Sequence, residues 1–465
     1  MQHTFVNRKR ELKFLEEKYR LNSAQMIVVY GRRRVGKTFL LKHFAKNKDH
    51  VYYLCSKEPE AEQVKEISGK FGELFGDTAL KINPFSKWGD LFEYLHEKSG
   101  SKKIVFIIDE FPFLASVNNA TTSVFQKYWD EQLSGTSVYL VLCGSSVAMM
   151  EKETLSYKSP IYGRRTGQWK VTPFDFSDFT KMFPEKFSAE SMIKYYSITG
   201  GVPFYLEKFD IKKSLEENIS NYVFRKGEVL YDEGESLLKQ ELQEPDTYMS
   251  ILKAIAVGNS KQSEIANFVG VPSTSLPRYL TTLIKLDIIE KLLPITENQK
   301  SKKSLYEIKD GFFRFWFKFV YPNRSYIEEE NFQKLKHVID RDFNSFLGKT
   351  FENICKQSIH VMDIPIKPTK AGRWWDKDIE IDLLCIDENK KEALFLECKW
   401  SDIKEKEARQ LMFELKEKSK HVKYTRKKEY FGLIAKNIDG KGNLKKEGFI
   451  LFDINDIAKT EKHTK

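Results

Sequence analysis

Between residues 25 and 175, short apolar runs recur between mixed segments of helical period. Met26–Tyr30, His50–Leu54, Ile104–Ile108, Val138–Cys143 and Trp169–Val171 have strand length and are rich in β-branched and aromatic residues. Strands that alternate with helices predict a parallel α/β sheet, because parallel neighbours need a crossover between them. From about 177 to 240 the pattern is helical and is punctuated by Thr199-Gly-Gly-Val-Pro-Phe204, which suits a small helical lid. Residues 245–310 give three helix-sized segments and then a hairpin-like stretch around Leu292–Ile308, with a polar turn at Glu297–Lys303. That is the outline of a winged helix. Beyond the aromatic run Phe312–Tyr321 and Pro322, a helix-then-strand pattern begins near 335 and continues onward, and only the tail after about 457 looks frayed. The expected fold class is α/β, divided into an α/β core (1–175), a helical lid (176–243), a winged helix-turn-helix (244–322) and a further α/β domain (323–465).

Composition adjusts this picture in three ways. A length of 465 residues with 41% hydrophobic and 14% aromatic content supplies several packed cores rather than one. The opening residues lack the apolar run of a signal peptide, and the longest apolar stretches are only strand length, so a cytoplasmic protein with no membrane partner is expected. The five cysteines are odd in number, lie mostly in apolar runs and form no CxxC pair, which argues against disulfides and zinc and for small core residues. A net charge of +11 and a pI near 9.0 suit a polyanionic partner such as nucleic acid, although a generally lysine-rich composition would produce the same excess.

The sharpest chemical signal is Gly31-Arg32-Arg33-Arg34-Val35-Gly36-Lys37-Thr38, which fits GxxxxGK[ST] directly after an apolar strand and directly before a helix. Glycines let the backbone curl so that its N–H groups converge on phosphate oxygens at a helix N-terminus, where the dipole favours anions. Lys37 would reach the terminal phosphates and Thr38 would hold Mg²⁺. Ile104–Asp109 is a buried strand ending in the acids Asp109 and Glu110, the form of a Walker B element. Asp109 would stand beside the metal and Glu110 would polarise the attacking water as general base. No NKxD element follows to select guanine, so ATP is the expected nucleotide. Ser145, at the end of the run Val138–Cys143, reads either as a γ-phosphate sensor or as a helix cap. Arg164 and Arg165 read either as an arginine finger acting in trans, which would require a homo-oligomer, or as surface charge.

On these residues the chain resembles the archaeal-type ATPase family of the AAA+/STAND group whose members carry a C-terminal DUF234-type domain. The matching stretches are Phe5-Val-Asn-Arg-Lys-Arg-Glu11, similar to an N-terminal hhGRExE box; Tyr30–Thr38; Ile107–Phe111; Cys143–Ser146; Tyr162–Gly167; and Gly200-Gly-Val-Pro203. The resemblance covers nearly the whole chain. It implies that Arg8 and Glu11 frame the nucleotide pocket and that Pro203 packs near the adenine from the lid. The N-terminal box departs from the pattern, with Asn7 in place of glycine and Lys9 in place of the first glutamate. Taken alone, Gly200-Gly201 is only a helix terminator.

In the winged-helix segment, Ser260–Gly270 reads as a helix closed by glycine. A second helix from about Ser273 to Leu286 carries leucines at 276, 280, 283 and 286, with Pro277 in its first turn. That second helix would either enter a major groove or serve as an intramolecular lid that transmits nucleotide state. Further on, Ile379–Ile386 alternates into a strand carrying Asp382, and Leu394-Phe-Leu-Glu397-Cys-Lys399-Trp400 follows after a turn at 387–391. Strand period puts Glu397 and Lys399 on one face, the arrangement of PD-(D/E)xK nucleases. The two carboxylates, with Glu352 from the preceding helix, would hold Mg²⁺ or Mn²⁺, while Lys399 orients or activates water. The family's C-terminal domain looks related to this restriction-endonuclease-like fold. The lysine-rich helix 404–420 would lie along a phosphate backbone or simply be solvated. Two functions follow from this reading. One is an ATP-driven switch or motor on nucleic acid, DNA favoured, coupled to a metal-dependent endonuclease-like domain; the other is an ATP-regulated signalling or scaffold protein whose C-terminal fold binds protein.

Overall fold

The computed structural model describes residues 5–460 apart from 101, 243 and 299. The chain divides into two compact units that meet in sequence between Pro173 and Phe174.

In the first unit, β1 (Gln25–Tyr30), β2 (His50–Leu54), β3 (Val105–Asp109), β4 (Tyr139–Gly144) and β5 (Gly167–Lys170) form an all-parallel sheet in the order β2-β3-β4-β1-β5. Strand period sorts its side chains between two helix layers. Ile27, Val29, Ile107 and Val141 pack with Leu15 of the helix Lys9–Tyr19 and with Leu40, Leu41 and Phe44 of the helix Lys37–Ala45. Met26, Phe106, Ile108, Leu140 and Leu142 face the other way, onto Ile67, Phe71, Leu91 and Phe125 of the helices Glu60–Phe75, Trp88–Ser99 and Thr121–Glu131. Burial on both faces explains why β1, β3 and β4 read as continuous apolar runs rather than alternating ones.

The second unit starts with helices from Phe176 to Glu241. The helices Pro245–Ala256, Gln262–Val269 and Leu276–Lys285 come next, then the antiparallel pair β6 (Ile289–Leu292) and β7 (Leu305–Ile308). The third helix of this group starts at Leu276, three residues later than the expected Ser273, because Pro272-Ser-Thr-Ser275 forms a turn. The remaining sheet is mixed: β8 (Lys370–Asp376), β9 (Ile379–Asp387) and β10 (Glu392–Ile403) are antiparallel, whereas β11 (Lys428–Ile438) and β12 (Ile450–Asp453) run parallel to β10. The long helix Phe332–Ser358 covers one face through Phe351, Ile354 and Cys355 against Leu394, Leu396 and Cys398. The helix Glu405–Ser419 covers the other through Met412 and Leu415 against Phe395 and Leu433.

One hydrophobic core runs from the first helices of this unit, through Phe312–Val320, to the sheet. One close backbone crossing joins Gly200, at the end of the helix Ala189–Thr199, to Gly311: a Cβ on Gly311 would stand 2.6 Å from the Cα of Gly200. Read from sequence as a helix terminator, Gly200 does end its helix, at φ 60°, and it also permits this backbone contact. The chain is helical over Ile454–Thr460, where fraying was expected, and the rest of that tail lies outside the described residues. All five cysteines are buried and free. Among the described residues, no helix is long and apolar enough to cross a membrane.

Candidate functional site

The loop after β1 curls as the glycine spacing requires. Gly31, Arg34 and Gly36 have φ of 149°, 71° and 92°. A side chain at Gly31 is excluded, since its Cβ would sit 2.1 Å from the carbonyl oxygen of Val171. The helix Lys37–Ala45 begins with no side-chain cap, which leaves its first N–H groups open to an anion. The Lys37 ammonium is buried and donates to the carbonyls of Gly31 (2.8 Å) and Arg32 (2.9 Å). Burial lowers its pKa, against the opposing influence of Cys143, Glu110 and Asp109.

β4 lies between β1 and β3, yet Asp109 still reaches the loop. Its Oδ2 accepts the Thr38 hydroxyl at 2.7 Å and the Tyr52 hydroxyl at 2.6 Å, and its Oδ1 accepts the Glu110 N–H at 3.0 Å. Burial, then the hydrogen bond to Asp109, pushes the Tyr52 phenol far above its ordinary range. Glu110 adopts φ 56°, and its Oε2 accepts the Ser145 N–H at 3.2 Å. Of the two readings of Ser145, the cap falls to its neighbour: Ser146 caps the helix Val147–Met150, while the Ser145 Oγ is buried with no hydrogen-bond partner among the described residues.

Arg8 reaches the loop from outside the P-loop motif. It donates to Val35 O (2.7 Å), Thr172 O (2.8 Å) and Glu11 (2.8 Å). Asn7 and Arg8 both have positive φ, 54° and 58°. Asparagine tolerates that conformation better than most residues, so Asn7 satisfies the backbone need that a glycine would meet. Arg164 is clamped by Asp130, with its Nη2 at 2.8 Å, and Arg165 donates to Gln168 while stacking on Tyr162. Neither is brought to the loop by these contacts. Pro203 opens the helix Pro203–Glu207 in the second unit.

The second cluster is on the mixed sheet. β9 and β10 pair as far as Leu383 and Leu396; there the Asp382 carboxylate takes over and accepts the Cys398 N–H at 2.8 Å. Glu397 is buried and accepts Lys399 at 2.7 Å, with Lys418 at 3.3 Å, and Lys399 lies 3.9 Å from Asp382. Burial, then the charges of Glu397 and Glu352, pushes the Asp382 carboxyl up to about 7. Burial alone would lower the Lys399 pKa, but the bond to Glu397 raises it overall. The expected trio of metal-holding acids is not assembled: Glu352 pairs with Lys349 at 2.9 Å, and no group of three or more His, Cys, Asp or Glu suited to a metal stands among the described residues. On the helix Glu405–Ser419, Arg409 pairs with Glu405 and Glu447, and Lys418 turns to Glu397.

The model of an ATPase domain found predominantly in Archaea matches residues 5–209, and that of a domain of archaeal and bacterial proteins of unknown function, DUF234, matches 316–411. An uncharacterized protein of Methanocaldococcus jannaschii is 38% identical over 463 residues, spanning 98% of this chain and 100% of its own. The chain belongs to this archaeal ATPase family with a DUF234 domain. A second relative in that organism, an uncharacterized ATP-binding protein, is 64% identical over 44 residues, covering 10% of this chain and 75% of its own. Among solved structures, the Walker-type ATPase of Pyrococcus abyssi superposes with a TM-score of 0.54 at 20% identity, over 68% of this chain and 97% of its own, which shows a shared fold.

Within this ATPase family member, Tyr52 and Lys418 escaped the sequence reading. Tyr52 meets Asp109 only because β2 flanks β3, an order that no local pattern encodes. Lys418 is one lysine among many on its helix, and only the crossover packing selects it.

Proposed function

We propose that the P-loop unit hydrolyses ATP and that this cycle controls an endonuclease-like C-terminal domain acting on DNA. The observation that carries the first half is the convergence of Thr38 and Asp109, with hydroxyl and carboxylate 2.7 Å apart beside an uncapped helix N-terminus. Those two oxygens suit Mg²⁺, which would neutralise the phosphate charge that develops in the transition state. In this reading Lys37 exchanges its bonds to Gly31 and Arg32 for phosphate oxygens, and Glu110 leaves the Ser145 N–H to orient the attacking water. Residues 31–38 bind the phosphates, and Arg8 holds the loop through Val35. Ser145, whose hydroxyl meets no partner among the described residues, senses the γ-phosphate. Arg164 and Arg165 act in trans only if an oligomer forms and Asp130 releases Arg164.

Support for the second half is the sequence αβββαβ with Asp382 on β9 and Glu397 and Lys399 on β10, together with the raised pKa of Asp382. A buried acid held partly neutral beside a second acid is what a divalent cation would relieve. Lys399 would then orient water toward a phosphodiester. The test is nicking of supercoiled and linear DNA, with and without Mn²⁺ and ATP. Wild type should cut, and Asp382→Ala or Lys399→Ala should not, while ATP turnover persists in all three.

A second reading rests on Glu397, whose carboxylate is already matched by Lys399 and Lys418. A site satisfied in this way suits a protein-binding scaffold that has lost cleavage. A wild-type chain that leaves DNA and RNA intact in every metal would select it.

A further inference from the structure

A cavity of about 340 Å³ opens in the second unit between β7, the helical stretch that follows it, the long helix Phe332–Ser358 and β8. Four cations line it, Arg314, Lys318, Lys349 and Arg373, against one acid, Glu307. Two of these cations are already matched. Glu307 lies 2.7 Å from Arg373 and 3.2 Å from Lys349, Glu352 shares Lys349, and Glu380 pairs with Arg373.

Arg314 and Lys318 are placed differently. The Arg314 guanidinium lies over the Phe346 ring and gives one N–H to the Thr350 hydroxyl at 2.5 Å, but its buried Nε meets no partner among the described residues. Burial lowers its pKa, and Glu307 is the largest opposing charge. Lys318, one turn further on, makes no ion pair among the described residues. Asp342 feels its charge, but that carboxylate is bonded to Arg341. Arg314 is half-buried with its Nε unmet among the described residues, and a tetrahedral oxyanion suits the planar fork of a guanidinium. Ile255 and Leu305 add apolar walls, and the volume lies at the small end of ligand pockets, roughly 300–1,000 Å³.

We propose that this cavity is a second ligand site, separate from the P-loop, for a phosphate monoester of about mononucleotide size. Its phosphate would lie on Arg314 and Lys318, and its body against Ile255 and Leu305. Because the walls come from β7 and from the C-terminal sheet and helix, an occupant braces one against the other.

The test uses the full chain carrying Lys37→Ala, with AMP as probe in equilibrium dialysis and adenosine and inorganic phosphate as controls. The expected result is saturable AMP binding, tighter than phosphate, with no binding of adenosine. Adding Lys318→Ala weakens AMP binding at least about tenfold, as loss of a charge-assisted contact should. Lys318 has no ion pair to lose among the described residues, so its variant keeps the fold. Arg314→Gln, checked for folding by circular dichroism, should show the same loss. No saturable AMP binding, AMP binding unchanged by Lys318→Ala, or equal binding of adenosine would each overturn the proposal. The P-loop reading is untouched by any of these outcomes, because Lys318 belongs to the other unit.

Discussion

Replacing Arg8 with methionine should weaken both the fold of the first unit and its grip on nucleotide. The side chain is almost fully buried and makes three bonds of 2.7–2.8 Å, to Val35 O, Thr172 O and Glu11. Methionine fills much of the volume but leaves Glu11 as an unpaired charge that is only 13% exposed, and leaves two carbonyls without this donor. Removing one partner of a buried pair costs roughly 3–5 kcal/mol. A unit of this size loses about 2–4 °C of melting temperature per kcal/mol, so a fall on the order of 10 °C is expected. Calorimetry resolves the first unit as the transition that ATP raises, because ligand stabilises only the state it binds. Val35 belongs to the phosphate loop, so ATP affinity should fall at least about tenfold, measured below the melting transition. Arg8→Lys should be intermediate, since it keeps the charge but loses the fork that spans three acceptors. A shift below about 2 °C together with unchanged ATP affinity would refute the assignment of Arg8 as the strut of the loop.

Three further outcomes follow from the geometry. Tyr52→Phe removes one of the two hydroxyls that orient the Asp109 carboxylate and should raise the Mg²⁺ concentration for half-maximal ATP turnover about tenfold, as loss of a metal ligand's supporting hydrogen bond does. Asp382 has a folded pKa raised to about 7, so the folded state binds more protons than the unfolded one between the ordinary carboxylate range and that value. Without metal, the second unit should therefore lose stability as pH rises from about 4 to 7. Asp382→Asn should flatten that dependence, and melting curves at pH 5 and 8 in chelator would show it. Gly311→Ala places a Cβ 2.6 Å from the Gly200 backbone, and overpacking of this kind should cost about 1–3 kcal/mol in urea unfolding of the second unit.

What could be read from sequence was local. The P-loop, the acids ending β3, the glycine-closed helix before Gly270 and the Glu-x-Lys strand are each written within a dozen consecutive residues. Strand period alone put Glu397 and Lys399 on one face, and the two stand 2.7 Å apart. The features that escaped are through-space. Arg8 meets Thr172 across 164 positions, Tyr52 meets Asp109 across 57, and Glu352 pairs with Lys349 on its own helix rather than completing a trio with Asp382 and Glu397. Serines 145 and 146 show the limit well: adjacent hydroxyls after one strand, of which one caps a helix and the other is buried with no partner among the described residues. Only the turn geometry tells them apart.

The claim on which the rest depends is that residues 31–38, together with Asp109 and Glu110, make one ATP-hydrolysing site. Its most direct test is ATP binding and phosphate release by Lys37→Ala and Glu110→Gln beside the wild type. Lys37→Ala should lose nucleotide binding, whereas Glu110→Gln should bind ATP as wild type does and hydrolyse it about 10²–10⁴-fold more slowly, the usual cost of losing a general base. Full turnover in both variants would contradict the account.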